Sequence, residues 1–313
     1  MTTSGSVDFS LSRDNILTDA LILVGAVGPD DSVPANWTTH AARQLNKVVK
    51  ALHSKRIGLW ARKTGYILPV SSTNSVSMGP SGGHATLSYT QTTVSADAAD
   101  GASTITLTAT TGFAASQAVG IELDGGTIQW TTQSGALAGS VATLAATLTD
   151  NVSSGNYVYT YATKIQRPVR IVEAYLTDLA DDTDTEIDVV SKREFETQTV
   201  KTTAGDPTLL AYDPQLTDGV AYFWPRFEDV HTLIKVVFQR PFEDFDASGD
   251  TPDFPQEWYD ALCYLTAVRL APTYGVTGTD RQMLRQEAKD ALDMALENEP
   301  EEGSLMLQPD YGQ

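Results

Sequence analysis

The sequence predicts an α+β fold in which antiparallel helices combine with β-strands and with an inserted small β-barrel or β-sandwich domain. Three observations support this prediction. Apolar residues at helical spacing occur near both ends of the chain, at residues 12–57 and 255–298. Short alternating segments that are typical of strands occupy the middle. Residues 84–163 shift abruptly to Thr, Ala, Ser, Val and Gly, which marks that segment as an insert.

Two amphipathic helices are expected near the N-terminus. Ser12 can cap the first, whose apolar residues between Ile16 and Val24 recur at intervals of three and four. The second begins at about Trp37, carries one apolar stripe from Ala41 to Leu52 and ends at Gly58. Because each helix has a single apolar stripe, the two should pack together as a helical hairpin.

The chain after these helices is expected to be extended and then linker-like. Residues 59–70 have the composition of an extended segment, and residues 71–83 are rich in small and turn-forming residues. Within the insert, Asp124-Gly125-Gly126 separates two alternating runs and predicts a hairpin.

The last part of the chain returns to strands and then to helices. The strand predictions rest on four runs: RPVRIVEAYL, TEIDVVS, GVAYFWP and HTLIKVVFQRP. SKREFETQTV has the pattern of a short helix. A helix from Pro255 to about Ala271 is apolar around most of its circumference, and an amphipathic helix follows, roughly from Asp280 to Asn298.

These features divide the chain into five segments. The predicted boundaries are 1–75 for the helical hairpin and extended segment, 76–163 for the inserted β-domain, 164–250 for a β-rich part, 251–298 for the C-terminal helices and 299–313 for a tail.

The charge of the chain is acidic and unevenly distributed. The 313 residues include 21 Lys and Arg against 40 Asp and Glu, a net charge of −19. Residues 32–96 nevertheless contain seven basic residues and no acidic one. The basic face of the second helix comprises Arg43, Lys47, Lys50, Lys55 and Arg56. Such a face is either simply solvated or a surface that contacts phosphate or an acidic protein.

Composition also restricts the class of protein. A single cysteine excludes an internal disulfide framework and fits a reducing compartment. The first residues lack the basic and then apolar pattern of a secretory signal, so we expect none. No apolar run is long enough to suggest a membrane span.

The residues most often used in catalysis are scattered. Cys263 lies in mid-helix among apolar neighbours, where a thiol is expected to pack and not to react. The four histidines lie in separate segments without the spacing of a zinc site: His40, His53, His84 and His231. We therefore expect neither an enzyme nor a cofactor.

An acidic run offers one candidate metal site. Asp182, Asp184, Glu186 and Asp188 alternate, and calcium prefers several carboxylate oxygens. The run lacks the glycine and the terminal glutamate of an EF-hand loop, and a solvated turn leading into the strand EIDVVS is the favoured explanation. We therefore expect no bound metal.

The C-terminal third contains an ordered set of motifs. YDPQLTDGVAYFWP at 212–225 is followed by FQRPFEDFDASGDTPDFPQEWYDALCYLTAVRLAPTYG at 238–275. Together these resemble the head-to-tail adaptor proteins of short-tailed bacteriophages, also called tail accessory factors or packaged-DNA stabilisation proteins. GLWARKTGYILPV at 58–70 and YTYATKIQRPVRIV at 159–172 are similar to the same family.

The resemblance implies a structural virion protein without catalytic activity, built on a helical adaptor domain. In that family the subunits form a dodecameric ring between the portal and the tail nozzle, where they seal packaged DNA and support tail assembly. Implied partners are the portal protein, the nozzle or tube protein and tail fibres. DNA would pass through the channel without sequence-specific binding, and no membrane is involved. The protein would reside at the head-to-tail junction of the virion after assembly in the host cytoplasm.

Two groups of residues follow from this interpretation. The tail would bind the portal through Leu305, Met306, Leu307 and Tyr311. The core of the ring and its subunit interface would involve Trp258, Tyr259, Leu262, Tyr264 and Leu265, because a helix apolar on most sides can contact both its own domain and a neighbour.

Two other functions remain open at this point. The β-insert could be a surface module that binds a receptor or carbohydrate, using Phe113, Trp130 and the tyrosines at 157–161. Alternatively, the acidic run at 182–188 could support metal-assisted hydrolysis.

Overall fold

A computed structural model describes residues 5–6, 8–55, 58–228 and 230–297 of the chain. Within these residues there are five α-helices: α1 (Arg13–Leu23), α2 (Ala35–Ser54), α3 (Lys192–Phe195), α4 (Tyr259–Leu270) and α5 (Gly278–Glu297). The first seven strands are β1 (Arg62–Ile67), β2 (Ser75–Met78), β3 (Ala85–Thr86), β4 (Thr90–Ala96), β5 (Thr104–Leu107), β6 (Ala118–Glu122) and β7 (Ile128–Thr132). The others are β8 (Val141–Thr143), β9 (Tyr157–Tyr161), β10 (Arg170–Asp178), β11 (Thr183–Val190), β12 (Leu209–Asp213), β13 (Gly219–Trp224) and β14 (Thr232–Gln239).

The predicted fold class, with a helical domain as its main body, is wrong. The described chain is mostly β, with two large curled sheets and only a few small helices. The error has a physical cause. Helices show themselves in local periodicity, whereas the eight-stranded sheet is made by pairing segments that lie far apart in sequence.

The chain divides into two compact units. One comprises Met1–Ala61 and Phe242–Gln313, and the other comprises Arg62–Pro241. We call them the helical unit and the β unit. The helical unit therefore combines segments from the two ends of the chain.

The predicted helices near the N-terminus are confirmed. The Ser12 side chain accepts a hydrogen bond from the backbone N–H of Asn15 at 3.3 Å and so caps α1. The α2 helix begins after Pro34 and buries its apolar stripe from Ala41 to Leu52. The two C-terminal helices are confirmed as well, with a short 3₁₀ turn at Gln256–Trp258 before α4.

The larger sheet of the β unit has the strand order β2-β13-β12-β11-β10-β14-β1-β3. All its pairs are antiparallel except β11 with β12. The sheet curls until its end strands, β2 and β3, approach each other. Its core contains Ile67, Met78, Phe223, Ile234 and Phe238.

Two local predictions fail in this sheet. Part of the segment predicted as a linker is strand β2, which pairs with β13 in the register Gly219↔Met78. Strand β12, which lies between the turn-forming pairs Asp206-Pro207 and Asp213-Pro214, was not predicted. It pairs with β11 on one side and β13 on the other, and its Leu210 and Ala211 are buried.

The smaller sheet is formed by residues 90–161, with the strand order β7-β6-β9-β4-β5-β8. The predicted hairpin at Asp124-Gly125-Gly126 is confirmed, because it joins β6 to β7 and the Leu123 N–H donates to the Thr127 carbonyl at 2.8 Å. An isolated bridge between Gln133 and Leu144 connects the two ends of this curled sheet.

Aromatic side chains connect the two sheets of the β unit. Trp130 donates from its indole N–H to the Pro69 carbonyl at 3.0 Å and stacks on His84 with ring centroids 3.8 Å apart. The Tyr159 hydroxyl donates to the Val230 carbonyl at 2.6 Å. These contacts pack the inserted sheet firmly against the strands before and after it.

Candidate assembly surface

Helix α4 lies at the centre of the helical unit and contacts α1, α2 and α5. This position explains why its sequence is apolar around most of its circumference. Leu262, Ala267 and Leu270 are fully buried, and the partly buried Leu265 and Val268 pack against the same core. Three helical neighbours within one chain therefore account for most of the apolar surface of α4.

Trp258 anchors the start of α4 in an aromatic cluster. Its ring is 2% exposed and lies 5.4 Å from Trp60 and 5.8 Å from Phe254, measured between centroids. The Trp60 ring also stacks on Phe242 at 5.6 Å, and its indole N–H donates to the Asp253 carbonyl at 3.0 Å. The cluster links the end of the N-terminal segment to the start of the C-terminal segment.

An open groove lies between α1 and α4. Its volume is about 480 Å³. The apolar side chains along it are Phe9, Leu11, Ile22, Leu23, Tyr259 and Tyr264. Phe9 is 64% exposed and Leu23 is 39% exposed, so the apolar surface of the groove faces solvent.

Two carboxyl groups and a thiol lie in the same groove. Asp19 and Asp260 line it together with Cys263. Burial raises the pKa of the Asp19 carboxyl above its ordinary value. Burial, reinforced by Asp19 and Asp260, raises the pKa of the Cys263 thiol to about 12. The thiol therefore stays protonated at neutral pH, as expected of a packing residue.

The predicted interface residues fall into two groups. Trp258 and Leu262 lie in the core of the helical unit, and Leu265 packs against that core. Tyr259 and Tyr264 line the open groove. Tyr259 is 8% exposed, whereas Tyr264 and Leu265 are partly exposed.

The basic face of α2 is exposed at Arg43, Lys47, Lys50 and Lys55. Lys50 pairs with Asp244 at 2.7 Å and also donates to the Phe242 carbonyl at 3.4 Å. Among the described residues, no ion pair involves Arg43 or Lys47. Arg56 lies outside the described residues.

The proposed portal-binding residues in the tail also lie outside the described part of the chain. These are Leu305, Met306, Leu307 and Tyr311.

The acidic run at 182–188 forms the exposed part of β11 and its turn. Asp184 pairs with Lys235 and accepts a hydrogen bond from Thr177 at 2.6 Å, and these contacts lower the pKa of its carboxyl. The described residues contain no cluster of His, Cys, Asp or Glu that could hold a metal ion. Asp184, the second carboxylate of the run, therefore forms an ion pair across the sheet.

The histidines have separate environments, as expected from their spacing. His84 stacks on Trp130, and its Nδ1 lies 3.0 Å from the Tyr161 hydroxyl. Burial lowers the pKa of His84 to about 4. His231 lies 2.9 Å from Glu122, at the junction of the two sheets.

The aromatic residues of the insert are mostly buried, either in its core or against the larger sheet. Phe113, Tyr159 and Tyr161 are each less than a tenth exposed, and Trp130 is held by its stack and its hydrogen bond. A carbohydrate site would need such rings at the surface, and of this set Trp130 and Tyr157 are partly exposed.

The groove was not anticipated from the sequence. Phe9 precedes the capped start of α1 and carries no periodic signal, and Asp19 resembles any solvated helical residue. Asp260 is an ordinary first-turn carboxylate. Their proximity arises only when α1 packs against α4, which single-sequence patterns do not specify.

Across the described residues, the search for helices long and apolar enough to cross a membrane finds none. Comparison of the sequence with known family models and with curated proteins finds no match.

Proposed function

We propose that the protein is a structural head-to-tail adaptor of a short-tailed bacteriophage, a ring subunit that binds the portal and supports the tail nozzle. The proposal begins from the ordered motifs in the sequence. Two of them, the residues around Trp60 and the segment at 238–275, are separated by most of the β unit.

The observation that carries the proposal is the aromatic cluster at Trp258. It joins Trp60 from the first motif to Phe242, Phe254 and Trp258 from the other. Motifs that pack against each other are expected to belong to one structural core. This arrangement supports a common body to which the resemblance applies, although the chain as a whole is mostly β.

The surface of the helical unit also fits an assembly role. A ring subunit contacts its two neighbours through two different patches, so it needs apolar surface beyond that of its own core. The groove between α1 and α4 supplies such surface, with Phe9 and Leu23 open to solvent.

The net charge of −19 suits a channel for DNA. Acidic surfaces repel phosphate, whereas a basic lumen would bind DNA with release of counterions. DNA would therefore pass the ring without being held. The exposed basic face of α2 is suited to an acidic surface of the portal or of a neighbouring subunit.

The experiment is to mix the purified chain with its portal protein and to measure the mass of the complex. We expect the portal to acquire a full ring of copies, visible by electron microscopy as an added layer. A chain that remains monomeric with the portal at concentrations well above those of assembly would overturn the proposal. An unrelated portal serves as the control for non-specific binding.

A further inference from the structure

The loop between β12 and β13 holds a leucine almost entirely in solvent. Leu216 is 95% exposed. The loop is tethered on both sides of it: Arg167 donates to the Gln215 carbonyl at 3.1 Å, and Asp218 accepts from the Ser81 N–H at 3.2 Å. The side chain is therefore presented by a preorganised loop with a guanidinium group beside it.

The groove between α1 and α4 has the complementary features. It is lined mainly by apolar side chains and has room for a leucine. Its two carboxylates, Asp19 and Asp260, form no ion pair with any described residue. An apolar group accompanied by a cation would satisfy both the lining and the carboxylates.

We propose that Leu216 of one copy inserts into the α1–α4 groove of a neighbouring copy, where Arg167 of the first copy meets Asp19 and Asp260 of the second. The two surfaces are different patches of the same chain, so the contact is heterologous and suits a ring. This inference rests on the proposed ring and names the residues of its subunit contact.

The charge of the groove distinguishes this occupant from the tail of the chain. No Lys or Arg follows Lys289, and the sequence after Glu297 includes Glu299, Glu301 and Glu302. Carboxylates in the tail would be repelled by those of the groove. The loop at Leu216 brings the cation of Arg167, and its acids already have partners, since Asp213 pairs with Lys192 at 2.9 Å and Asp218 accepts a hydrogen bond from the Ser81 N–H at 3.2 Å.

Site-specific cross-linking tests the contact. On a Cys263→Ala background, one variant carries Leu216→Cys and a second carries Leu23→Cys in the wall of the groove. We expect a disulfide-linked dimer when the two are mixed and oxidised mildly, with portal or at high concentration of the chain alone. Pairing Leu216→Cys with Met283→Cys, an exposed position on α5, is the matched control and should give no specific dimer.

Charge reversal gives an independent readout. Arg167→Glu and Asp260→Arg should each weaken assembly about tenfold, the usual effect of losing an interface anchor, and the double variant should recover most of the loss. Leu216→Ser should weaken assembly similarly, while the fold, followed by thermal unfolding, stays intact.

The outcomes separate the two proposals. If rings form normally but Leu216→Cys and Leu23→Cys give no cross-link, and if Leu216→Ser does not weaken assembly, the contact is overturned and the ring proposal stands. A wild-type chain that never assembles on the portal overturns the ring, and the cross-link in the chain alone still decides the contact. If the cysteine of Leu23→Cys cross-links to the portal and not to a neighbouring copy, the contact is also overturned.

Discussion

His84 is a histidine that its surroundings keep neutral. Burial, reinforced by the positive charge of Lys164, lowers its pKa to about 4 from 6.5, and its ring stacks on Trp130 with Nδ1 3.0 Å from the Tyr161 hydroxyl. The unfolded chain therefore binds a proton near pH 6.5, whereas the folded chain does so only near pH 4. The contribution of this group to stability is present above about pH 6.5 and is lost as the pH falls towards 4.

The pH prediction follows from that difference. Lowering the pH from 6.5 to 4 should reduce the free energy of unfolding by roughly 2 kcal/mol through His84, since one pKa unit corresponds to about 1.4 kcal/mol and the ring is partly solvated. Urea unfolding of wild type and His84→Phe across this range measures it. The free energy of unfolding of the variant should depend less steeply on pH than that of wild type. An equal dependence on pH in the two proteins would contradict the assignment to His84.

Cys263 should be chemically inert in the folded protein. Its pKa of about 12 leaves little thiolate at pH 8, and the residue is 5% exposed. We expect alkylation by iodoacetamide to be at least about 100-fold slower than in urea. Mass spectrometry at timed intervals measures the rate. Comparable rates in the native and unfolded states would mean that the packing around the Cys263 thiol opens far more often than its burial implies.

At the scale of elements, α4 is the part on which the helical unit depends. Leu262 is fully buried between helices, so Leu262→Ala should lower the free energy of unfolding by roughly 2–5 kcal/mol. Met283→Ala on α5 is the matched control, since that side chain is 62% exposed and its loss should cost less than about 0.5 kcal/mol. Tryptophan fluorescence from Trp60 and Trp258 reports the transition. A small effect of Leu262→Ala would mean that α4 is not the centre of this packing.

The elements that could be predicted from sequence are those with local signals. The cap at Ser12, the stripe of α2 and the hairpin at Asp124-Gly125-Gly126 each depend on neighbouring residues, and each is present. Strand β2 was missed because its four residues sit among turn formers and gain their order from β13, far along the chain. Helices give a strong periodic signal in the sequence, whereas strand pairing over long distances gives none, so the predicted share of β structure was too small.

The candidate site shows the same division. The basic face of α2 follows directly from helical spacing, and four of its five predicted residues lie exposed on the described chain. The apolar character of α4 was also visible, but its cause was not. Its neighbours α1, α2 and α5 are known only once the helices pack, and so is the groove between α1 and α4.

At the scale of the whole molecule, the distribution of charge suggests how copies and partners meet. The basic segment at 32–96 stands out in a chain with a net charge of −19. On α2, Lys50 already has a partner in Asp244, whereas Arg43 and Lys47 have none among the described residues. If this face meets an acidic surface in the assembled state, the attraction must be sensitive to salt, because exposed charges are screened within about 10 Å at 0.1 M.

Replacing Arg43 and Lys47 by alanine should therefore weaken assembly on the portal several-fold at low salt and hardly at all at about 0.5 M salt. The double replacement Arg285→Ala and Lys289→Ala, which removes two exposed cations from α5, is the matched control for the change in net charge. Binding measured by light scattering at a series of salt concentrations gives both slopes. A double variant that assembles like wild type at every salt concentration would mean that this face is solvated and contacts no partner. A loss of assembly that is independent of salt would point instead to packing of the arginine and lysine stems.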